Sequence, residues 1–276
     1  MSKLIINFTP TGIIPTKKIN PSVPISPDEI IQDAKMAYNL GVQMIHLHVR
    51  DENGNNTSDP IIYGKVIKAI RKDCSGMIIC VSLSGRVINT FEARSAVLDL
   101  EGDEKPDMGS LTLSSLNFMN DVSVNTPEMI TMLLTKMNEK NIKPELEVFD
   151  IGMVNYSKHL IKKGLLKAPY YYNILCGNIF SAQADLSDIS NMVNALPEGS
   201  IYSFAGLGMY QTRMNALGIV CANGVRVGLE DNIYYDYNKK ILATNEMLIQ
   251  RVIKIAHAYE REIATVDEVR KLLEMS

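Results

Sequence analysis

Short apolar runs alternate with longer amphipathic ones along the whole chain. Residues 4–8, 43–49, 77–82, 107–112, 145–149, 170–175, 201–205 and 225–229 are brief and rich in apolar or β-branched side chains, which predicts strands, weakest at 107–112. Helical patterns fill the intervals at 27–39, 61–72, 90–98, 126–140, 154–163, 185–195, 211–217 and 244–264. Ser26-Pro27-Asp28-Glu29 is a helix start, with serine as cap, proline at the first helical position and glutamate three residues after the cap. Thr126 before Pro127-Glu128 repeats the signal, Gly41 stops the first helix, and Thr265-Val266-Asp267-Glu268 caps a final helical tail.

Eight strand-then-helix units within 276 residues is the arithmetic of an α/β protein of the TIM (β/α)₈ barrel class. No Pro/Gly/Ser-rich linker interrupts the alternation, so residues 1–276 read as one domain. A doubly wound open sheet also alternates strand and helix. The barrel is preferred on the count of eight and on the polar residues, which gather at strand ends, where barrels carry their active sites.

Composition narrows the class. Hydrophobic residues make up 46% of the chain, which excludes disordered and fibrous classes. A net charge of −3 without a basic block gives no electrostatic reason to expect nucleic acid. No apolar run approaches the ~18 residues that would span a membrane. The N-terminal apolar stretch is too short for a signal peptide and reads as the first strand. The four scattered cysteines contain no C-x-x-C pair, so they read as reduced thiols of a cytoplasmic protein.

The chemistry concentrates in Met44-Ile45-His46-Leu47-His48-Val49-Arg50, which holds two of the four histidines. Strand alternation projects both imidazoles from one face, as a pair of metal ligands requires. The bland alternative is two hydrogen-bonded core imidazoles. His159 and His257 fall in helical patterns, away from strand tips. A third ligand is therefore expected from a carboxylate, Glu230 or Asp231 at the end of the eighth strand. Two histidines and one acid leave an open position able to polarise a carbonyl. Arg226 and Glu230 are four apart on an extended run and both can face inward; an inward arginine needs a partner, in Asp231 or Glu147. A carboxylate held by arginine suits a general base, and a purely structural ion pair is the competing explanation. Glu145 and Glu147 share one face of the fifth strand. Ser82, Ser84 and Gly85 can offer hydroxyls and an amide to a substrate carboxylate. Gly206 and Gly208 resemble a phosphate-binding turn, although an ordinary tight turn has the same composition.

The H-L-H-x-R-D/E block, Pro106-Asp107-Met108, Ser115-Leu116-Asn117-Phe118, Pro144-Glu145-Leu146-Glu147 and Arg226-Val227-Gly228-Leu229-Glu230-Asp231-Asn232 together resemble the β-keto acid cleavage enzymes, whose type member is 3-keto-5-aminohexanoate cleavage enzyme. The resemblance runs in order through nearly the whole chain. It implies a zinc-dependent TIM barrel, usually a homotetramer, that converts a β-keto acid and acetyl-CoA into acetoacetate and a new acyl-CoA. By matching motif, His46, His48 and Glu230 become the Zn2+ ligands, and Asp231, oriented by Arg226 and Glu147, becomes the base that forms the substrate enolate. Ser82, Gly85 and Ser110 hold the substrate carboxylate, and CoA needs the open barrel mouth near Gly206 and Gly208.

One departure bears on the substrate. The type member pairs its substrate's amino group with an acid in the loop after the first strand, and Ile14 stands at that place here. Isoleucine cannot pair an ammonium group, so a β-keto acid with a neutral or anionic tail is expected. Arg86 could pair a second carboxylate, or be an ordinary solvated loop arginine. Two other classes fit the H-x-H strand: a zinc hydrolase of the amidohydrolase type, which usually draws further histidines from later strands, and a metal-binding barrel without turnover.

Overall fold

The computed structural model describes residues 2–275, and its central feature is a closed barrel of eight parallel strands. The strands are β1 (Ile5–Phe8), β2 (Met44–Leu47), β3 (Ile78–Val81), β4 (Met108–Thr112), β5 (Lys143–Val148), β6 (Tyr170–Cys176), β7 (Ser200–Gly206) and β8 (Gly224–Val227). Each pairs with the next, and β1 pairs with both β2 and β8, which excludes the open sheet. The helices between them are α1 (Pro27–Asn39), α2 (Pro60–Asp73), α3 (Phe91–Ser95), α4 (Pro127–Glu139), α5 (Ile151–Lys162), α6 (Leu186–Ala195), α7 (Gln211–Cys221) and α8 (Asn245–Ala258), followed by α9 (Val266–Leu272). Among the described residues no helix is long and apolar enough to cross a membrane.

The helix starts follow the sequence signals. Ser26 and Glu29 form a reciprocal capping box on α1, as do Thr265 and Glu268 on α9; a good N-cap contributes about 1 kcal/mol. Several boundaries shift, among them α3, which ends at Ser95, and α7, which runs on to Cys221; three shifts have a plain local cause. β2 ends at Leu47, because Val49–Arg50 leaves the barrel to pair antiparallel with Asn56–Thr57. α5 begins a turn early because the Asp150 side chain accepts from the Met153 amide. α8 stops at Ala258, where Glu260 adopts a left-handed conformation with φ of 58°, and the chain extends to bond Leu4 through Glu262 and Ala264.

Alternating side chains fill the barrel in layers, as the strand period requires. The floor is apolar: Ile5, Met44, Ile78, Met108, Tyr171 and Ile201 pack with Val269 and Leu273 of the C-terminal segment. Two residues further along the strands the interior turns polar, with Asn7, His46, Ser110, Glu145, Asn173, Ser203 and Arg226 all buried. The apolar residues on the outer face of the strands pack against the helices in one large core. The site therefore rests on a dry floor and opens at the C-terminal ends of the strands.

Candidate active site

His46 lies on β2 and His48 one residue past its end; their ring centroids are 5.2 Å apart. Across the barrel, β8 ends at Val227 and the chain turns sharply. Gly228 makes that turn: a Cβ there would lie 2.0 Å from the Thr9 carbonyl oxygen, so any larger residue would push β8 from β1. The Glu230 amide then donates to Thr9 O (3.2 Å), and Gly208 N donates to Asp231 O (2.7 Å). These bonds hold Glu230 and Asp231 over the barrel mouth.

Arg226 is the hub. Its Nε and Nη2 donate to both oxygens of Asp231 (2.9 and 3.3 Å), Nη2 also reaches Glu230 Oε1 (2.8 Å), and Nη1 reaches Glu147 Oε1 (3.1 Å). Glu147 also accepts from the Thr112 hydroxyl (2.7 Å). The guanidinium is 2% exposed, a burial tolerated only with such partners. Burial works against its charge, but Asp231, Glu230 and Glu147 outweigh it and keep the arginine ionised. Burial would raise the Glu230 carboxyl, yet Arg226 and then the two histidines hold it well below the usual carboxylate range. Asp231 moves the other way: burial raises it, Arg226 lowers it, and the neighbouring Glu230 charge adds to the rise.

A second network lies one layer deeper. His46 Nδ1 donates to Glu145 Oε2 (2.5 Å), Asn7 Nδ2 donates to Oε1 (2.5 Å), and the Cys80 thiol donates to Oε2 (3.2 Å). Burial alone would lower the His46 pKa, but the Glu145 and Glu230 carboxylates raise it, and His46 in turn lowers Glu145. Burial and then Glu145 keep the Cys80 thiol protonated.

Among the described residues, two groups of three side chains bring ligand atoms within 4.8 Å of one another: His46, His48 and Glu230, and His46, Cys80 and Glu145. The second is a finished hydrogen-bond network around one carboxylate. The first fits a cation. His48 Nε2 is 3.3 Å from Glu230 Oε1, and the buried Glu230 Oε2 has no hydrogen-bond partner. With Nδ1 bound to Glu145, His46 has Nε2 left for a metal, the carboxylate–histidine arrangement of catalytic zinc sites.

His46, His48 and Glu230 border a cavity of about 100 Å³ at the barrel mouth, room for several waters or a small ligand. Of the residues the sequence singles out, His46, His48, Ser82, Ser84, Arg86, Glu147, Arg226, Glu230 and Asp231 line it. Gly85 and Ser110 do not. Ser110 Oγ accepts from the Leu83 amide (3.0 Å), and Gly85 lies against Val124 and Arg94. Arg86 is more constrained than a solvated loop residue, with Nε on Asp121 (2.7 Å) and Cζ 3.9 Å above the Phe118 ring. The phosphate turn expected at Gly206 and Gly208 does not form, because the Leu207 and Gly208 amides are bonded to Cys176 O and Asp231 O. Sequence reasoning placed Glu145 beside Glu147 without its contact to His46, and overlooked Asn7 and Thr112. Their signal was a polar residue at an inward position of an apolar strand.

The profile of the beta-keto acid cleavage enzyme family matches residues 3–275. A 3-keto-5-aminohexanoate cleavage enzyme from Fusobacterium nucleatum is 40% identical over 100% of this chain and 99% of its own length. A 3-oxoadipate:acetyl-CoA acetyltransferase from Cupriavidus necator is 32% identical over 98% and 94%. Among solved structures, ObcA in a ternary complex with a C4-CoA adduct and oxalate shares the barrel, with a TM-score of 0.76 over 92% of this chain and 68% of that one, at 18% identity. With a full-length family match, and with relatives at these identities aligned end to end, the chain belongs to the beta-keto acid cleavage enzyme family.

Proposed function

We propose that this enzyme exchanges acyl groups between a β-keto acid and acetyl-CoA at a zinc ion held by His46, His48 and Glu230, releasing acetoacetate and a new acyl-CoA. The observation that carries the reading is that this ligand set and the Arg226-held carboxylates border one cavity. Zinc there would supply a Lewis acid for the β-keto carbonyl. Asp231, fixed through both oxygens by Arg226, takes a proton from the carbon between the two carbonyls. Its burial makes it a stronger base than a solvated aspartate. The carbanion attacks the acetyl thioester and CoA leaves as thiolate. The thiolate adds to the tail-side ketone, the carbon–carbon bond breaks, and the acetoacetate enolate recovers its proton from Asp231. Ser82 offers its hydroxyl to the substrate carboxylate, and Thr112 holds Glu147 against Arg226. Gly85 and Ser110 shape the Ser82 loop from behind.

The cavity also favours a tail without an ammonium group. Its lining acids are Glu147, Glu230 and Asp231, and each is bonded to Arg226. Ile14 lies at the rim, 49% exposed, and the remaining cation on the wall, Arg86, is itself paired with Asp121. The Fusobacterium relative is named for the amino substrate, so the two indications are separable by experiment. The test is a panel of β-keto acids with cationic, neutral and anionic tails, with acetoacetate and acyl-CoA read by mass spectrometry. A highest kcat/KM for 3-keto-5-aminohexanoate overturns the tail assignment. No acetyl-CoA-dependent turnover by zinc-loaded protein overturns the reaction.

A further inference from the structure

The acyl donor must bring its thioester to the carbon that Asp231 activates, by a route the keto acid does not fill. Two further cavities share walls with the metal cavity. One adjoins it at Ile13, His48 and Ser82, but holds only about 30 Å³, room for about two waters. Arg94 helps close it, tied to Leu83 O (2.8 Å) and Val124 O (3.1 Å). The other holds about 220 Å³ and shares Ile14, Glu230 and Asp231 with the metal cavity, so it reaches the base itself.

We propose that this second cavity is the entry groove for the CoA arm. The inference rests on the acyl-exchange reading for the identity of its ligand. The groove lies between the loops that follow β1 and β8, and Ile14, Ile19, Ile233 and Tyr234 give it apolar walls, suited to the uncharged pantetheine arm. Lys239 stands on its lining and Lys240 follows, both exposed and neither in an ion pair among the described residues. Lys17, on the opposite loop, is already held by Glu29 (2.7 Å). Asp236, the acid of the same turn, accepts from the Lys240 and Ile241 amides (2.9 and 2.6 Å), which leaves the two lysines for the phosphates of the nucleotide. Ile14 acquires a second role here, as the apolar partition between keto acid and donor arm.

The experiment compares acetyl-CoA with S-acetylpantetheine, which lacks the nucleotide phosphates. Lys239→Glu is expected to raise the KM for acetyl-CoA about three- to tenfold, as expected for reversing one exposed charge contact, less so at high salt. The KM for the β-keto acid stays put and the loss is confined to the phosphate-bearing donor. Ile233→Trp, which fills the groove, raises the KM for both donors. An unchanged KM for acetyl-CoA in Lys239→Glu, or an equal loss with both donors, overturns the groove. Calorimetric titration of CoA itself separates the two readings. CoA binding that weakens in Lys239→Glu supports the groove even if wild-type protein turns nothing over, which would refute only the acyl exchange. Absence of CoA binding to wild-type protein overturns the groove outright.

Discussion

Replacing Glu145 by glutamine changes a charge at the base of the site while keeping its shape. The carboxylate accepts three donors: His46 Nδ1 and the Cys80 thiol on Oε2, and Asn7 Nδ2 on Oε1. In Glu145→Gln the amide oxygen can stay against His46 and Cys80, and the amide nitrogen takes the position of Oε1. That nitrogen then needs an acceptor. Asn7 supplies one, because its Oδ1 is buried without a hydrogen-bond partner and an amide flip presents it. The His46 and Cys80 contacts survive; the negative charge behind His46 is lost, and the flipped Asn7 amide gives up the acceptor of its Nδ2, one buried donor against the three that alanine strands. A neutral acceptor binds about half as strongly as a charged one, so His46 becomes a poorer ligand. Zinc affinity should fall about 10- to 100-fold, equivalent to roughly 1.4 to 2.8 kcal/mol. The assay is competition with a chromogenic chelator, beside a thermal melt of the metal-free protein. Glu145→Ala is the contrast: it strands three buried donors, at about 1–3 kcal/mol each, and should lower the melting temperature sharply where glutamine does not. A folded Glu145→Gln variant with wild-type zinc affinity would refute the argument that Glu145 tunes His46 as a ligand.

Asp231→Asn should lower kcat by about 10²- to 10⁴-fold, the usual worth of a general base, with zinc content unchanged; steady-state kinetics and metal analysis check both halves. Ile14→Glu places an acid at the cavity rim and should shift kcat/KM toward 3-keto-5-aminohexanoate by about fivefold, measured against a neutral-tailed substrate. Gly12 has φ of +70°, and a Cβ there would lie 2.5 Å from Glu230 Cγ. Gly12→Ala should therefore displace the carboxylate and weaken zinc binding about tenfold, read by the same chelator competition. Glu29 gives an acid-dependent term: burial opposes ionisation, but Lys17 and the Ser26 and Ile25 amides lower its pKa to about 2. Its stabilisation is therefore full above the ordinary carboxylate value of 4.5 and fades as pH falls toward 2. The melting-temperature gap between wild type and Glu29→Gln should be widest near pH 6 and narrow by pH 3.

The barrel was legible because it is a periodic pattern with punctuation. Each strand is an apolar run, and caps such as Ser26 and Thr265 are local signals that survive folding. The closing helix was read too long because residues 259–264 stay helix-like in composition, while Glu260 turns and the chain pairs with Leu4. That constraint comes from the other end of the sequence. His46 and His48 were readable as a pair because strand alternation is local, and Glu230 and Asp231 because they follow a strand end. The division of labour between Glu145 and Glu147 was not readable. Both face inward, but they sit one layer apart, and the barrel stagger decides which one meets His46 of β2 and which meets Arg226 of β8. Those strands are not adjacent to β5, so no pattern within β5 carries the answer.

Charge counting separates a working site from an ion pair that only closes the barrel. The deep pair is balanced: Glu145 faces His46, whose pKa it raises. The upper cluster is not. Glu147, Glu230 and Asp231 carry three negative charges when ionised, and Arg226 carries one positive, leaving two uncompensated charges in a largely buried place. A structural cluster has no reason to accept that, since unpaired buried charge is among the most costly features a core can hold. The proposed divalent cation on His46, His48 and Glu230 would bring the cluster to neutrality. In the proposed mechanism Arg226 then serves two carboxylates of different character on adjacent residues: Glu230, held low as suits the proposed ligand, and Asp231, raised by burial as suits the proposed base. The same guanidinium positions both, so the spacing between the proposed ligand and the proposed base is set by one rigid planar group.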